Sequence, residues 1–307
     1  MDELLRDLEK LNPYLPIFTC NKTAYEFLFK HKVFKNEGHC PSCNNVMFIR
    51  HNDDINKRVF FCVNNKCKNK RKLNFNSIFN DISIEYYKIL RVIYCYVFEY
   101  NTMQAINFCE ISKPTFIKIK DLITNSLTFS DLKIGGSELH VQVDETAICN
   151  GMIIKNPSST LDTKKNVQWI IGGIDNSLSK KFFLCLVPDR KSNTIYEIFE
   201  KYIKKGSLII TDGYPSYPTA VKKFNSNHVI VNHTEGFKNS EDFHTNSIEN
   251  LWSHLKKDYR ERAGLYKTRL KLFLKEFQWL KLNLKSKDNI NIVHCFSKII
   301  IDLNKNN

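Results

Sequence analysis

Three acidic residues, one amide, one lysine and four cysteines have types and positions that can do chemistry. The acids are Asp144, Asp212 and Glu249. Carboxylate oxygens suit Mg2+ or Mn2+, and Mg2+ keeps several waters, so few protein ligands suffice. Two such ions about 3.5–4 Å apart can clamp the attacking and leaving oxygens of an in-line phosphoryl displacement. In that arrangement Asp144 bridges both ions, Asp212 holds one and Glu249 holds the other. Lys256 lies seven residues after Glu249. On a helix that is two turns, roughly 10 Å along one face, where it can hold a phosphate of a bound strand. Asn246 shares this face, three residues before Glu249. The cysteines form a second constellation. Cys40 and Cys43 make a C-x2-C pair; after eighteen intervening residues Cys62 and Cys67 make a C-x4-C pair. Two such knuckles bring four thiolates into a tetrahedron that suits one structural Zn2+. Taken singly, each acid has an ordinary reading as a turn former or a solvated helix residue. Their placement on successive elements gives them weight.

The helix that must carry Glu249 runs through His244–Lys257, where Ile248, Leu251, Trp252 and Leu255 make a buried stripe. Upstream, Gly135-Gly136-Ser137 marks a boundary, and the pattern changes from helix to strand. Residues 138–149 alternate, with Leu139, Val141 and Val143 on one face and Asp144 at the end of the alternation. Glu145 then points to the opposite face. Val167–Ile174 and Lys181–Val187 read as strands, Ser192–Lys204 as a helix, Ser207–Thr211 as a strand, Pro218–Phe224 as a short helix and His228–Asn232 as a strand. Three strands, helix, strand, helix, strand, helix is the plan of a ribonuclease H-like α/β fold, a mixed sheet with flanking helices. In open α/β sheets ligand sites form outside strand C-termini, which is where Asp212 falls.

The first half reads as a zinc ribbon and a helical segment. Between the cysteine pairs lie two apparent strands, VMFIR and RVFFC, with Val46 and Phe48 on one face and Val59 and Phe61 on one face. His39 and His51 flank the ribbon and His233 and His244 stand ahead of Glu249; exposed histidine is the default reading for all. Cys20, Cys95, Cys109, Cys149, Cys185 and Cys295 sit in apolar contexts and read as core. Residues 1–35 read as two short helices, with a stripe of Leu4, Leu5, Leu8 and Leu11 and with Asn21 capping the second. Ile84–Tyr100 reads as a core helix. Thr102–Cys109 and Ser112–Lys120 then resemble a helix-turn-helix, with Ser112 as N-cap, Pro114 in the first turn and Lys113, Lys118 and Lys120 available to a DNA groove. The expected domains are N-terminal helices 1–35, zinc ribbon 36–78, helix-turn-helix-like segment 79–134, catalytic domain 135–265 and basic C-terminal helices 266–307.

Charge points to the same kind of partner. The chain carries +14 with a pI near 9.2, which favours a polyanion, nucleic acid before membrane surface. Lys256–Asp288 alone holds eleven Lys or Arg against four Asp or Glu. Trp279 and Phe277 within it read as packing residues. No apolar run reaches the 18 residues of a transmembrane helix, and the acidic amphipathic start is not a signal peptide.

The segments VDET, TDGYPSY and HTNSIENLWSHLKK, in that order, resemble those of the Merlin-type DDE transposases and their bacterial insertion-sequence relatives. The CPSC ribbon, the helical segment after it and LKEFQWLKLN (Leu274–Asn283) are similar too, so the resemblance covers roughly residues 22–283. It implies a cut-and-paste DNA transposase that binds terminal inverted repeats, cleaves at the element ends and joins the 3′-ends to target DNA. It also implies nuclear work in a eukaryotic host, and work in the cytoplasm and nucleoid otherwise. The family's third acidic position is Glu in some members and Asn in others; Glu249 and Asn246 both stand here, with Glu249 favoured for its charge and its spacing to Lys256. Chemistry at paired ends is compatible with a homodimer or higher oligomer on DNA, and no coiled-coil pattern marks its interface. Two rival readings share these residues: a domesticated, catalytically silent DNA-binding protein derived from a transposase, and a ribonuclease H-like nuclease without strand transfer.

Overall fold

The computed structural model describes residues 8, 10–50, 52–129, 133–149, 152–154, 167–231, 244–262, 267–284 and 286–305. The expected stripe residues Leu4 and Leu5, the side chains of His51 and His233, and most of the loop after Cys149 lie outside these. The chain forms two compact units: residues 1–128 with 283–307, and residues 129–282.

In the first unit, α1 (Asn21–Lys30) buries Ala24, Tyr25, Phe27 and Leu28. Asn21 does not cap this helix. Its Oδ1 accepts the first backbone N–H of α2 (Tyr86–Val97), at 2.5 Å from Tyr86, because the two helices pack together. Between them lies a four-stranded antiparallel sheet in the order β1 (Glu37–His39), β2 (Val46–Arg50), β3 (Val59–Cys62), β4 (Lys70–Arg71). Its alternation is as expected, and the residues that turn inward are Met47 and Phe60, packed on Cys40, Cys62 and Phe75. Val46 and Phe48 are therefore left exposed. α3 (Thr102–Cys109) starts with a capping box between Asn101 and Gln104. Glu110 turns the chain with φ 53°, and α4 (Lys113–Ser126) starts at Ser112, whose Oγ accepts from Thr115 N. Two of the α4 cations have partners within the unit: Lys118 donates to the Asp81 carbonyl, and Lys120 lies over the Tyr96 ring.

The second unit is the ribonuclease H-like fold. Its strands are β5 (His140–Cys149), β6 (Met152–Ile154), β7 (Val167–Asp175), β8 (Phe182–Val187), β9 (Leu208–Thr211) and β10 (His228–Ile230). The sheet order is β10-β9-β5-β7-β8, with β6 paired to β5. β5, β9 and β10 are parallel neighbours, and β7 and β8 run antiparallel. The period of two divides β5. Val141, Val143 and Ala147 face α5 (Ser192–Tyr202) and α6 (Ser216–Phe224). Ile148 faces α7 (Asn246–Glu261) and α8 (Leu270–Asn283), whose Ile248, Leu251, Trp252, Leu255, Phe273 and Phe277 fill the other core. Trp279 and Phe277 pack, as expected, and are almost fully buried. Within the LKEFQWLKLN segment, Gln278 pins α8 to the β8 edge by accepting from Leu184 N and donating to Phe182 O. Glu276 takes a two-pronged ion pair from Arg262 at 3.0 and 2.7 Å, joining the end of α7 to α8. The last helix, α9 (Asn289–Lys305), packs on α2 and α4 in the first unit.

Candidate functional site

Asp144 sits in the middle of β5, on the face turned toward α7. The strand continues through it, so Glu145 faces α5 and α6 instead. β5 pairs with β9 in the register Gln142↔Ile210, and carrying that register on sets Asp212 beside Asp144. Neighbouring strands lie about 4.8 Å apart, and Asp212, directly after β9, is near enough for its charge to act on Asp144. Asp212 opens a tight turn: its Oδ1 accepts from Tyr214 N at 3.0 Å. The proximity is energetic as well as geometric. Burial, then the charges of Glu145 and Asp212, push the Asp144 carboxyl up to about 8, while the Glu145 N–H and the Trp252 indole oppose this. A carboxylate held that high among other acids is short of positive charge.

The two adjacent acids are treated differently. Glu145 is buried and receives Arg190 Nη1 at 2.8 Å and the Tyr217 hydroxyl at 2.5 Å. The Arg190 guanidinium, itself buried, lies 3.8 Å from the Trp169 ring centre and 4.1 Å from that of Tyr214. The tyrosines of the TDGYPSY segment thus lock the turn that carries Asp212 onto β5. Asp144 receives a neutral donor, Trp252 Nε1 at 2.8 Å.

Helix α7 reaches this site by its first two turns. Gln142, two residues before Asp144 on the same strand face, accepts the N–H groups of Ser247 and Ile248 at 3.0 and 3.1 Å. Three residues before Trp252 comes Glu249, partly buried, whose Oε1 accepts from Thr245 Oγ1 at 2.8 Å. Asn246 lies at the start of the helix and is exposed. Lys256 is partly buried two turns beyond Glu249. His244 stands just ahead of the helix, its Nδ1 3.4 Å from Gln142 Nε2. The structure therefore sets Asp144 beside Asp212 and ties the helix of Glu249 to Asp144. Sequence reasoning did not single out Gln142, Arg190, Tyr217 or the donor role of Trp252. The available signal was Gln142 standing in phase with Asp144.

In the first unit the four cysteines converge. The sulfurs of Cys40, Cys43, Cys62 and Cys67 all lie within 4.8 Å of one another. Cys40–Cys67 and Cys43–Cys62 approach to 3.6 and 3.4 Å, close to the edge of a tetrahedron with 2.3 Å Zn–S bonds. Each pair is followed by a left-handed residue, Asn44 (φ 56°) and Lys68 (φ 48°), so the wider C-x4-C spacing closes into the same kind of knuckle. Backbone and side-chain N–H groups of Asn45 lower the Cys43 thiol toward the thiolate a metal requires, to about 6. The donor set fits a structural zinc. Of the cysteines expected in the core, Cys20 is exposed, because it lies in extended chain ahead of α1, and Cys185 is only partly covered.

Fold and site together place the second unit among the ribonuclease H-like proteins. Comparison with known sequences is narrower. The profile of the ISXO2-like transposase domain matches residues 139–281, which include Asp144, Asp212, Glu249 and Lys256. An "Uncharacterized transposase-like protein" of Haemophilus influenzae is 31% identical over 114 residues, 37% of this chain and 90% of that relative. The chain belongs to the ISXO2-like transposase family. The family implies DNA as partner and divalent metals as cofactors. Among the described residues no helix is long and apolar enough to cross a membrane.

Proposed function

We propose that this chain is a two-metal DDE transposase of the Merlin kind, which cleaves DNA at the ends of its element and transfers the 3′-ends into target DNA. The observation that carries the reading is the position of Asp212 directly after β9, the parallel neighbour of the strand that bears Asp144, where its charge acts on an Asp144 short of positive charge. Asp144, Asp212 and Glu249 would hold the Mg2+ or Mn2+ ions, with Asn246 as the alternative third ligand. Two such ions, when bound, activate the attacking hydroxyl and neutralise the leaving 3′-oxygen. The protein's own part is to hold these oxygens in line and to keep the acids oriented. The Glu145–Arg190–Tyr217 network fixes the turn of Asp212. Lys256 contacts a phosphate of the bound strand. The ribbon, with Zn2+ on Cys40, Cys43, Cys62 and Cys67, and the α3–α4 pair bind the terminal inverted repeats, and two or more copies act on paired ends.

The test is incubation of the zinc-loaded protein and Mg2+ with labelled DNA carrying the element's terminal repeats. Cleavage and joining that vanish in Asp144→Ala, Asp212→Ala and Glu249→Ala are expected. A Glu249→Ala protein that still cleaves while Asn246→Ala does not would move the third ligand to Asn246. Binding of the repeats without cleavage would show a domesticated DNA-binding protein, and cleavage of unrelated DNA without joining a plain nuclease.

A further inference from the structure

Trp252 lies in the apolar stripe of α7, yet its ring does more than fill space. Its N–H points at Asp144 Oδ2 from 2.8 Å. The ring reaches that position because β7 has no side chain where it lies. Gly172 pairs with Asp144 across the β5–β7 ladder, and a Cβ there would stand 2.6 Å from Trp252 Cη2. Any larger residue would push the indole away from the carboxylate. A second tie from the same strand face, Gln142 to the N–H groups of Ser247 and Ile248, lies on the other side of Glu249 along the helix. α7 is thereby fixed to β5 at two points that bracket Glu249.

The chemistry of the donor matters. An indole N–H donates one hydrogen bond and carries no charge. It can select one orientation of a carboxylate without neutralising it. Glu145, one residue on, has a guanidinium instead, and its charge is answered within the protein. The pair of neighbours thus separates into an acid that is silenced and an acid that is oriented but left available to a cation.

We propose that Trp252 is the positioning residue of the acidic site: its N–H, admitted by Gly172, orients the Asp144 carboxylate and sets α7, with Glu249, against β5. This rests on the reading of Asp144 as a metal-binding acid, and the experiment separates the two. Full-length, zinc-loaded protein carrying 15N-labelled tryptophan gives three indole signals, from Trp169, Trp252 and Trp279. Mn2+, a paramagnetic probe, should broaden the Trp252 signal first. Free Mn2+ is counted in parallel by electron paramagnetic resonance. Trp252→Phe should raise the Mn2+ concentration for half-saturation by about tenfold or more, the size typical of lost support behind a metal ligand. The Trp169 and Trp279 signals should stay in place and report an intact fold. Gly172→Ala should weaken Mn2+ binding similarly with the indole still present. Where Trp252→Phe fails to fold, β-(3-benzothienyl)alanine at position 252 keeps the ring shape and replaces only N–H by sulfur. Native Mn2+ affinity in these variants, with binding lost in Asp144→Ala, would leave Trp252 a packing residue and overturn the proposal. Unchanged Mn2+ binding in Asp144→Ala would remove the acidic-site reading, and the proposal with it.

Discussion

Asp144→Asn should make the protein more stable when no divalent cation is supplied, and the gain should grow with pH. Burial and the charges of Glu145 and Asp212 raise the Asp144 carboxyl from 3.8 to about 8. The native state therefore keeps a proton that the unfolded chain gives up near pH 4, so stability falls as pH rises between these values. Each pH unit is worth about 1.4 kcal/mol, which sets a ceiling of about 4 kcal/mol at pH 7. Asp144 is not fully covered, and solvent screening brings the expected effect to about 2 kcal/mol. Asparagine keeps an oxygen for the Trp252 N–H and removes the charge. A gain of about 2 kcal/mol in a unit of this size raises Tm by about 4–8 °C. All three tryptophans lie in residues 129–282, so their fluorescence follows that unit alone during unfolding. Melts at pH 5 and pH 8, with and without Mg2+, are the assay. The gain should be largest at pH 8, small at pH 5, and reversed by saturating Mg2+, which stabilises the wild type. A variant less stable than wild type at pH 8, or an equal gain at both pH values, would refute the claim that crowded negative charge raises Asp144.

The network beneath the site gives an opposite result. Arg190→Ala leaves Glu145 buried without its cation and should cost about 3–5 kcal/mol in denaturant unfolding followed by tryptophan fluorescence. Tyr217→Phe removes one hydrogen bond to a charged group and should cost about 1.5–3 kcal/mol in the same assay. For the ribbon, the protein should release about one zinc per chain to a thiol-blocking reagent, and Cys62→Ser should abolish tight binding and expose residues 36–75 to protease. Zinc affinity should fall as pH drops, because the bound cysteines must be thiolates.

The element order was legible because five strands of the second unit have their own pattern and the helices between have another; the short β6 (Met152–Ile154) lies in a polar stretch that reads as a loop or long hairpin. Residues 138–143 alternate cleanly, and carrying that phase on sets Asp144 and Glu145 on opposite faces. The phase of the ribbon strands was harder. VMFIR and VFFC are apolar on both faces, so alternation does not choose between them. The cysteines choose: Met47 pairs with Cys62, and Phe60 is in phase with it, so the face bearing the sulfurs goes inward. Other features were invisible for a different reason, the distance along the chain. Asn21 reads as a local cap, but its partner is 65 residues away. Arg190, in a basic chain and next to Lys191, reads as a solvated loop cation; its partner Glu145 is 45 residues upstream. Trp252 fits the helical stripe so well that nothing suggests its N–H has work 108 residues away.

These long-range ties explain why acids that look interchangeable in sequence are not so in the fold. Asp144 and Glu145 are neighbours, both face a charge at Asp212, and both are raised by burial. What separates them is the face of the sheet. On the α5–α6 side the loop after β8 brings a guanidinium, and Tyr217 adds a hydroxyl. On the α7 side the side-chain donor to Asp144 is a neutral indole. An internal cation removes the electrostatic reason for binding another, whereas a neutral donor leaves that reason intact while removing rotational freedom. The sheet thus gives one acid an internal cation and the other a neutral donor, and the choice follows from the strand's period of two.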